Sequence, residues 1–512
     1  MGKPRRHEAE TELKLNISPA GEMRIAELAV FRPPQASEPE SQRIVTTYFD
    51  TPNSDLKRHG FSLRVRRAGD KRIQAVKAAG GSGVAKERGE WEWPTEKESP
   101  DLALAAGTPL ADVLPPDAEK ELGPVVVTDI VRTTRTVKAE GTTIEAALDN
   151  GSIEAGETEQ PVHELELELR EGTPAALYRL ALALLAATPL TVEVESKAER
   201  GYRLMDKSGP RPEKPKALEL GRKVRCIEGL REIIANGLGH LLANRASAME
   251  RDAEGIHQTR VATRRLRSAL KMLEPRLEPH ATALFQDELR RIGRVIGEAR
   301  DWDVFCLETL PKSFAEPKDA ELGEVMRQAA EARRAAADER CGRELAASSF
   351  TALVLGLAAW AETGRELRRA VGDRRLKRRL SRQSPDLLDR LARRVTKRAR
   401  ALAPNAPASE LHPVRKALKK LRYGVEFVAA FYPRKEVKRY LRQLKGLQES
   451  LGAINDAAVA IQLAEDVAKA NRVELGAPVA VIAAASEHAS RTAKRKLDRQ
   501  WDAFREQGPF WR

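Results

Sequence analysis

Apolar and polar residues alternate with a period of two in several short segments of the first 205 residues, the pattern of strands with one buried face. HEAETELKLNIS, from His7 to Ser18, puts Glu8, Glu10, Glu12 and Lys14 on one side and Ala9, Thr11, Leu13, Leu15 and Ile17 on the other. FSLRVRRAG sets Ser62, Arg64 and Arg66 opposite Phe61, Leu63 and Val65, RIQAVKA adds Lys77, and KERGEWEWP aligns Arg88, Glu90 and Glu92 against Trp91 and Trp93. HELELELREG then sets Glu164, Glu166 and Glu168 opposite Leu165, Leu167 and Leu169. Beyond about Ala217 the period becomes helical, in long stretches rich in Ala, Leu, Arg and Glu. The pattern predicts an α+β domain over residues 1–207, a Pro- and Lys-rich linker over 208–217, and an all-α domain over 218–512.

Glu is a poor strand former, and side chains two apart on a strand lie only about 6–7 Å from each other, so rows of like charge need compensation. Two architectures hold such strands. In an open sheet the charged faces meet water; in a closed barrel they can point inward, so that carboxylates, Arg and Lys converge on an aqueous tunnel. The carboxylates of a tunnel could hold divalent metal through oxygen, and its bases could hold phosphates. A chain of phosphates with metal is the natural guest.

A length of 512 residues with 41% hydrophobic content predicts two or more domains. Charge separates them: residues 1–209 carry 28 Lys and Arg against 35 Asp and Glu, a net of −7, and residues 210–512 carry 61 against 40, a net of +21. The opening MGKPRRHEAE lacks the apolar core of a signal peptide, and no apolar run approaches the roughly 18–20 residues of a spanning helix, so a cytoplasmic protein with no membrane partner is expected. Cys226, Cys306 and Cys341 are odd in number and widely spaced, which predicts reduced packing residues.

The ETELK of Glu10, Glu12 and Lys14, TYFDTPNSDLKRHGFSLRVRR from Thr47, RGEWEW from Arg88, ALDNG around Asp149, HELELELREG and SKAERGY around Lys197 follow in an order that resembles the CYTH superfamily, the triphosphate tunnel metalloenzymes. The likeness covers roughly residues 7–205 and thins between Asp101 and Val131, which reads as loop and helix. It implies an eight-stranded antiparallel β-tunnel that holds a triphosphate with one or two Mg²⁺ or Mn²⁺ ions. By the same resemblance Glu10, Glu12, Glu164, Glu166 and Glu168, with Asp149 added, bind the metal. Lys77, Arg88, Arg132 and Lys197 bind substrate, with Arg135 a neighbour, while Lys14, Arg64 and Arg66 act on the phosphates in catalysis and Glu90 orients a base. Glu8 lies outside the signature.

The helical half repeats itself. HQTRVATRRLRSAL from His257 and HPVRKALKKLRYGV from His412 share His, then Arg at +3, Arg or Lys at +7 and +8, Leu at +9 and Arg at +10, with Gly at +40 (Gly297, Gly452) and Asp at +44 (Asp301, Asp456). On a helix, positions 0, +3, +7 and +10 fall within roughly 80° of one another. His257, Arg260, Arg264 and Arg267 therefore share one face, as do His412, Arg415, Lys419 and Arg422, each opposite an apolar face. The stripes are read as lacking Glu at the i+4 partner positions, so their charges repel unless an anion intervenes or water solvates them.

These helices, with GEARDWDVF and GAINDAAVA, resemble the CHAD domain from about Ala217 onward. The resemblance implies two pseudo-symmetric helical bundles whose basic faces line a groove for inorganic polyphosphate. Asn455 stands where the first copy has Arg300, so the two halves need not bind equally. Nucleic acid is the competing polyanion, but aromatics are only 4% of the chain and none interleaves with the first stripe, which leaves little for base stacking. RRLKRRLSRQ, from Arg374, reads as a solvated basic helix.

The expected function is a metal-dependent inorganic triphosphatase that releases pyrophosphate and phosphate, with a polyphosphate-binding half that concentrates substrate or tethers the enzyme to polyphosphate, as in granules. Its rivals are a thiamine or nucleoside triphosphatase or an adenylate cyclase of the same tunnel, and a polyphosphate-binding scaffold without turnover.

Overall fold

The computed structural model describes residues 5–6, 10–78, 84–115, 117–139, 141–274, 277, 282–362, 377–403, 406–470 and 475–512, without the side chains of residues 5, 6, 10, 86–88, 118, 119 and 139. His7, Glu8 and Ala9 thus lie outside the described residues, as do Arg374 to Leu376 of the basic run and the side chains of Glu10 and Arg88. The chain divides into two compact units, one of Met1–Arg211 with Ala346–Thr363 and one of Pro212–Leu345 with Gly364–Arg512. No single helix among the described residues is long and apolar enough to cross a membrane.

The first unit is one antiparallel sheet of strands β1 (Arg5–Arg6), β2 (Glu10–Asn16), β3 (Glu40–Asp50), β4 (Phe61–Ala68), β5 (Lys71–Ala78), β6 (Lys86–Arg88), β7 (Glu90–Pro94), β8 (Gly123–Ala139), β9 (Thr142–Ala155), β10 (Thr158–Glu171) and β11 (Thr191–Glu193). Neighbours run β7-β5-β4-β3-β8-β9-β10-β2, and the ring closes because β6, separated from β7 by Gly89 alone, pairs with β2. With β6 and β7 counted as one, eight strands form the ring. The three-residue β11, on β2 beyond β6, is a ninth, so with β6 and β7 as one and the two-residue β1 left out the expected count of eight is corrected to nine strands among the described residues. The stretch read as loop and helix forms short helical turns only up to Glu121, and β8 starts at Gly123, where β-branched Val125, Val126 and Val127 favour an extended chain.

The apolar faces of these strands point outward and are covered. Helix α1 (Pro19–Glu27) and helix α2 (Pro174–Ala187) pack against each other, α2 lies on β2 and β10, and Leu13, Leu15, Leu165 and Leu167 are fully buried. Helix Ser348–Glu362 packs on α2 and β11 within the same unit. The charged faces therefore point inward, which settles the choice between an open sheet and a barrel.

The second unit is helical. Helix α4 (Cys226–Ala243), α5 (Ala253–Leu273) and α6 (Ala283–Val304) pack in succession, and α8 (Leu380–Arg400), α9 (Ala408–Val428) and α10 (Arg434–Ala470) repeat that order. Helix α7 (Ala320–Ala346) follows α6, and α11 (Gly476–Gln507) packs along α10. Helices α5 and α9 touch each other, so the two copies of the repeat meet at their basic helices. The three cysteines are free and buried, as expected.

In the first unit a further helix, α3 (Lys197–Met205), is fastened over the ring. Ser196 and Glu199 form a capping box at its start, and the Tyr202 hydroxyl donates to Asp50 Oδ2 at 2.8 Å. Asp50 also accepts from the backbone N–H groups of Thr51, Leu56 and Lys57, so one buried carboxylate ties the turn after β3 to α3. Gly201 allows the approach: a Cβ there would come within 2.2 Å of Val126 Cγ1 on β8. Gly201→Ala is expected to destabilise the protein by about 1–3 kcal/mol through overpacking, read as a lower denaturant midpoint for the transition reported by the buried Trp93.

Candidate functional site

The register of the ring brings the predicted rows together. On β2 and β10, Lys14 faces Glu166 and Glu12 faces Glu168; on β9, Asp149 faces Glu164 and, across β8, Arg132. On the opposite wall Lys77 faces Glu90, and Arg64 and Arg66 face Tyr48 and Thr46. The period of two thus gathers Glu12, Lys14, Arg64, Arg66, Lys77, Glu90, Arg132, Asp149, Glu166, Glu168 and Lys197 around one cavity of about 280 Å³. Arg135 is not among them: three residues past Arg132 it points to the other face, where it donates to the Phe31 carbonyl.

Within the cavity the charges are interleaved. Lys197 Nζ lies 2.8, 2.7 and 2.9 Å from carboxylate oxygens of Asp149, Glu164 and Glu166. Lys14 pairs with Glu166 and, at 2.9 Å, with Glu12; Arg132 makes a two-pronged contact with Asp149 at 2.7 and 2.6 Å and reaches Glu166 as well. Arg200 Nη2 donates to Glu164 at 2.9 Å. The sequence reading missed Arg200, although it stands one helical turn after Lys197 and so shares its face. Burial pushes Glu166 up, yet Lys14, Lys197 and Arg132 hold it well below the usual carboxylate range, whereas burial keeps Glu164 raised.

On the basic wall Glu90 takes Arg64 at 2.9 Å and Lys77 at 2.7 Å. Arg66 has no ion-pair partner among the described residues, and the Arg64 guanidinium, then burial and Arg132, push it down to about 10. A guanidinium repelled in this way is a vacancy for an anion.

The carboxylates suit a hard divalent cation. Oxygens of Asp149, Glu164 and Glu166 lie within 4.8 Å of one another, all three residues are buried, and Mg²⁺ and Mn²⁺ favour such oxygen donors. Glu12 and Glu168 line the same cavity at its more open side.

In the second unit the two stripes converge as well. The Arg265 guanidinium, on α5, pairs with Glu426 of α9 and lies over the Tyr423 and Phe427 rings at 5.7 and 5.2 Å. Beside this clamp runs a groove of about 1120 Å³, lined on its basic side by Lys214, His257, Arg264, Arg415, Lys419 and Arg422, and an adjoining pocket of about 160 Å³ adds Arg260 and Arg300. Arg267 and His412 line neither; His412 Nδ1 lies 3.0 Å from Asn455 Oδ1. Lys214, from the stretch read as a linker, is held by its neighbour Glu213, whose backbone N–H and C=O both bond the Asn244 side chain.

The repeat has a structural reason. Arg260 donates to Asp301 at 2.7 Å and to the Gly297 carbonyl at 3.3 Å, and Arg415 lies 3.8 Å from Asp456, so the +44 Asp receives the +3 Arg, with the +40 Gly beside that guanidinium in both copies. One expectation is corrected: Glu426, four residues after Arg422, does pair with it at 2.8 Å. Glu308, Glu449 and Asp456 also line the groove, yet its Lys and Arg residues outnumber its carboxylates. Nε of Arg264 and of Arg415 is buried without a hydrogen-bond partner, and burial with Arg300 nearby pushes His257 down to about 4.

A CYTH domain family model matches residues 8–202 and a CHAD domain model matches residues 232–465. The chain carries a CYTH domain followed by a CHAD domain. An inorganic triphosphatase of Haemophilus influenzae is 34% identical over 202 residues, 39% of this chain and 55% of that protein, so the match spans about half of the relative. Among solved structures, the CHAD domain from the plant Ricinus communis is 29% identical over 58% of this chain and 96% of that one, with a TM-score of 0.47. PptA from Streptomyces chartreusis is 16% identical over 55% and 100%, with a TM-score of 0.44.

Burial opposes the charge of Glu90, but Arg64 and Lys77 outweigh it and depress the carboxyl to about 2. An acid depressed by folding stabilises above its unfolded value, near 4.5, and loses that contribution as pH falls toward 2. Glu90→Gln is therefore expected to cost about 2–3 kcal/mol at pH 7 and markedly less at pH 3, measured by denaturant unfolding at both pH values.

Proposed function

We propose that the first unit is a phosphoanhydride hydrolase that cleaves inorganic triphosphate with water to pyrophosphate and phosphate, dependent on Mg²⁺ or Mn²⁺, and that the second unit binds inorganic polyphosphate. The observation that carries the reading is the two-sided cavity, with the buried carboxylates Asp149 and Glu166 on one wall, Glu164 clustered with them outside its lining, and Arg64, Arg66 and Lys77 on the other. The likeness to an inorganic triphosphatase supports it.

Asp149, Glu164 and Glu166, with Glu12 and Glu168, would hold the divalent ion, which when bound would neutralise phosphate oxygens and orient the attacking water. Lys14, Arg132 and Lys197 pair with those carboxylates, and would be available to phosphate oxygens were the carboxylates to hold the ion. Arg66 meets the phosphates first, since it gives up no partner, while Glu90 fixes the heads of Arg64 and Lys77. Such preorganised cations favour the transferring phosphoryl group as charge builds on it. In the second unit Arg264 and Arg415, which line both the groove and the adjoining pocket, are the principal phosphate contacts, helped by Lys419, Arg422, His257 and Arg260.

Phosphate release from inorganic triphosphate, ATP and thiamine triphosphate with Mg²⁺ or Mn²⁺ tests the first part. Release is expected from triphosphate foremost, and Glu166→Gln is expected to lower kcat/KM at least ~100-fold. No release from any of the three, with tight polyphosphate binding retained, would leave a scaffold. Arg264→Gln with Arg415→Gln is expected to weaken polyphosphate binding at least ~10-fold in titration calorimetry.

A further inference from the structure

We propose that Lys419 is a site of covalent acylation by acyl phosphates, mixed anhydrides of a carboxylic and a phosphoric acid, whose phosphate docks on the arginines beside it. The proposal rests on the anion-binding reading of the groove.

Lys419 lines both the large groove and the smaller pocket, so a solute in either meets its amine. No carboxylate lies within ion-pair distance of its Nζ among the described residues; the nearby acid Asp456, on α10, faces Arg415. The charges around it are Arg264 and Arg260 on α5, Arg415 one turn earlier on α9, and the opposing Asp456. Burial first, then Arg264, Arg415 and Arg260, push the ammonium down to about 6, so near pH 7.5 the side chain is largely a free amine. An amine desolvated beside other cations is the activated state in which Lys acts as a nucleophile. The same arginines attract the electrophile: Arg264 and Arg415 line both cavities together with Lys419, so a phosphate held by their guanidinium groups lies in the cavity that the amine faces.

The step balances without a further reagent. The Nζ lone pair attacks the carbonyl carbon, the bond from that carbon to the phosphate oxygen breaks, inorganic phosphate leaves with the electron pair, and the surplus amine proton passes to water. The product is an amide that can no longer be protonated. Acylation thus removes a group that takes up a proton beside a bound phosphate chain, and lowers the groove's affinity for such chains.

Two other lysines serve as internal controls. Lys420 lines neither cavity, and Lys445 lines the large groove but lies 3.6 Å from Glu449. The full chain is treated at pH 7.5 with acetyl phosphate, or with the uncharged N-hydroxysuccinimide ester of acetic acid, and acetylation is quantified by peptide mass spectrometry. Lys419 is expected to react with acetyl phosphate at least ~10-fold faster than Lys445, to be protected by inorganic polyphosphate, and to lose much of that lead with the uncharged ester. In Lys419→Arg the fast phase should vanish. An equal rate at Lys419 and Lys445, or no protection by polyphosphate that binds in a parallel titration, overturns the proposal and leaves the groove reading standing. Absence of polyphosphate binding overturns the groove reading instead, and fast acetylation blocked by orthophosphate would still support the acylation site.

Discussion

The first unit depends on buried carboxylates that cannot stand alone. Asp149 and Glu164 are fully shielded from water, and an unpaired buried charge costs several kcal/mol. Lys197 answers both, Arg132 answers Asp149 and Arg200 answers Glu164. Two of these three cations lie on α3 and not on the ring, so the acidic strands require the helix that closes over them. The demand also sets the register: a slip of one residue would turn each charged row to the outer face and bury Lys and Glu under α2.

The second unit handles charge in the opposite way. Its basic helices are joined through Arg265 and Glu426, and the +44 aspartates partly answer Arg260 and Arg415, but burial, then Arg264 and Arg260, still depress Arg415, and burial, then Arg264, Arg415 and Arg260, depress Lys419. A cavity with buried carboxylates beside its bases suits a metal with a phosphate chain; a groove whose Lys and Arg outnumber its carboxylates suits the phosphate chain alone. In the proposed function the same chain therefore presents two kinds of phosphate environment, one built on strands with side chains at a period of two and one on helices at 3.6.

Much of this was legible because both periods leave marks in the sequence. The rows Glu164–Glu166–Glu168 and Arg64–Arg66 fixed a charged face on each strand, and His257 with His412 exposed the repeat. Closure was less legible, since it depends on β6 and β7 sharing one run across Gly89 while pairing with different neighbours, which alternation cannot express. Arg265 escaped notice because it falls between the stripe positions, and its role exists only once α9 is packed against α5. Lys214 was hidden in a stretch whose Pro and Lys content signals a linker, although the Asn244 and His240 side chains bond the backbone beside it. Arg267 and His412 show the reverse limit: helical phase places a residue on a face, while the depth of the groove decides whether it is reached.

The pairing in the tunnel has a thermodynamic consequence for ligands. Lys14, Lys197 and Arg132 occupy the carboxylates that suit a divalent cation, so a cation arriving alone would strand three buried positive charges. A phosphate chain arriving alone would draw those bases away and strand the carboxylates. Each ligand removes the penalty left by the other, so in the proposed enzyme cation and phosphate bind with positive coupling, and the coupling is reciprocal. Mixed charge in the resting cavity thus favours the metal–phosphate complex over either component, without any group that recognises the complex as such.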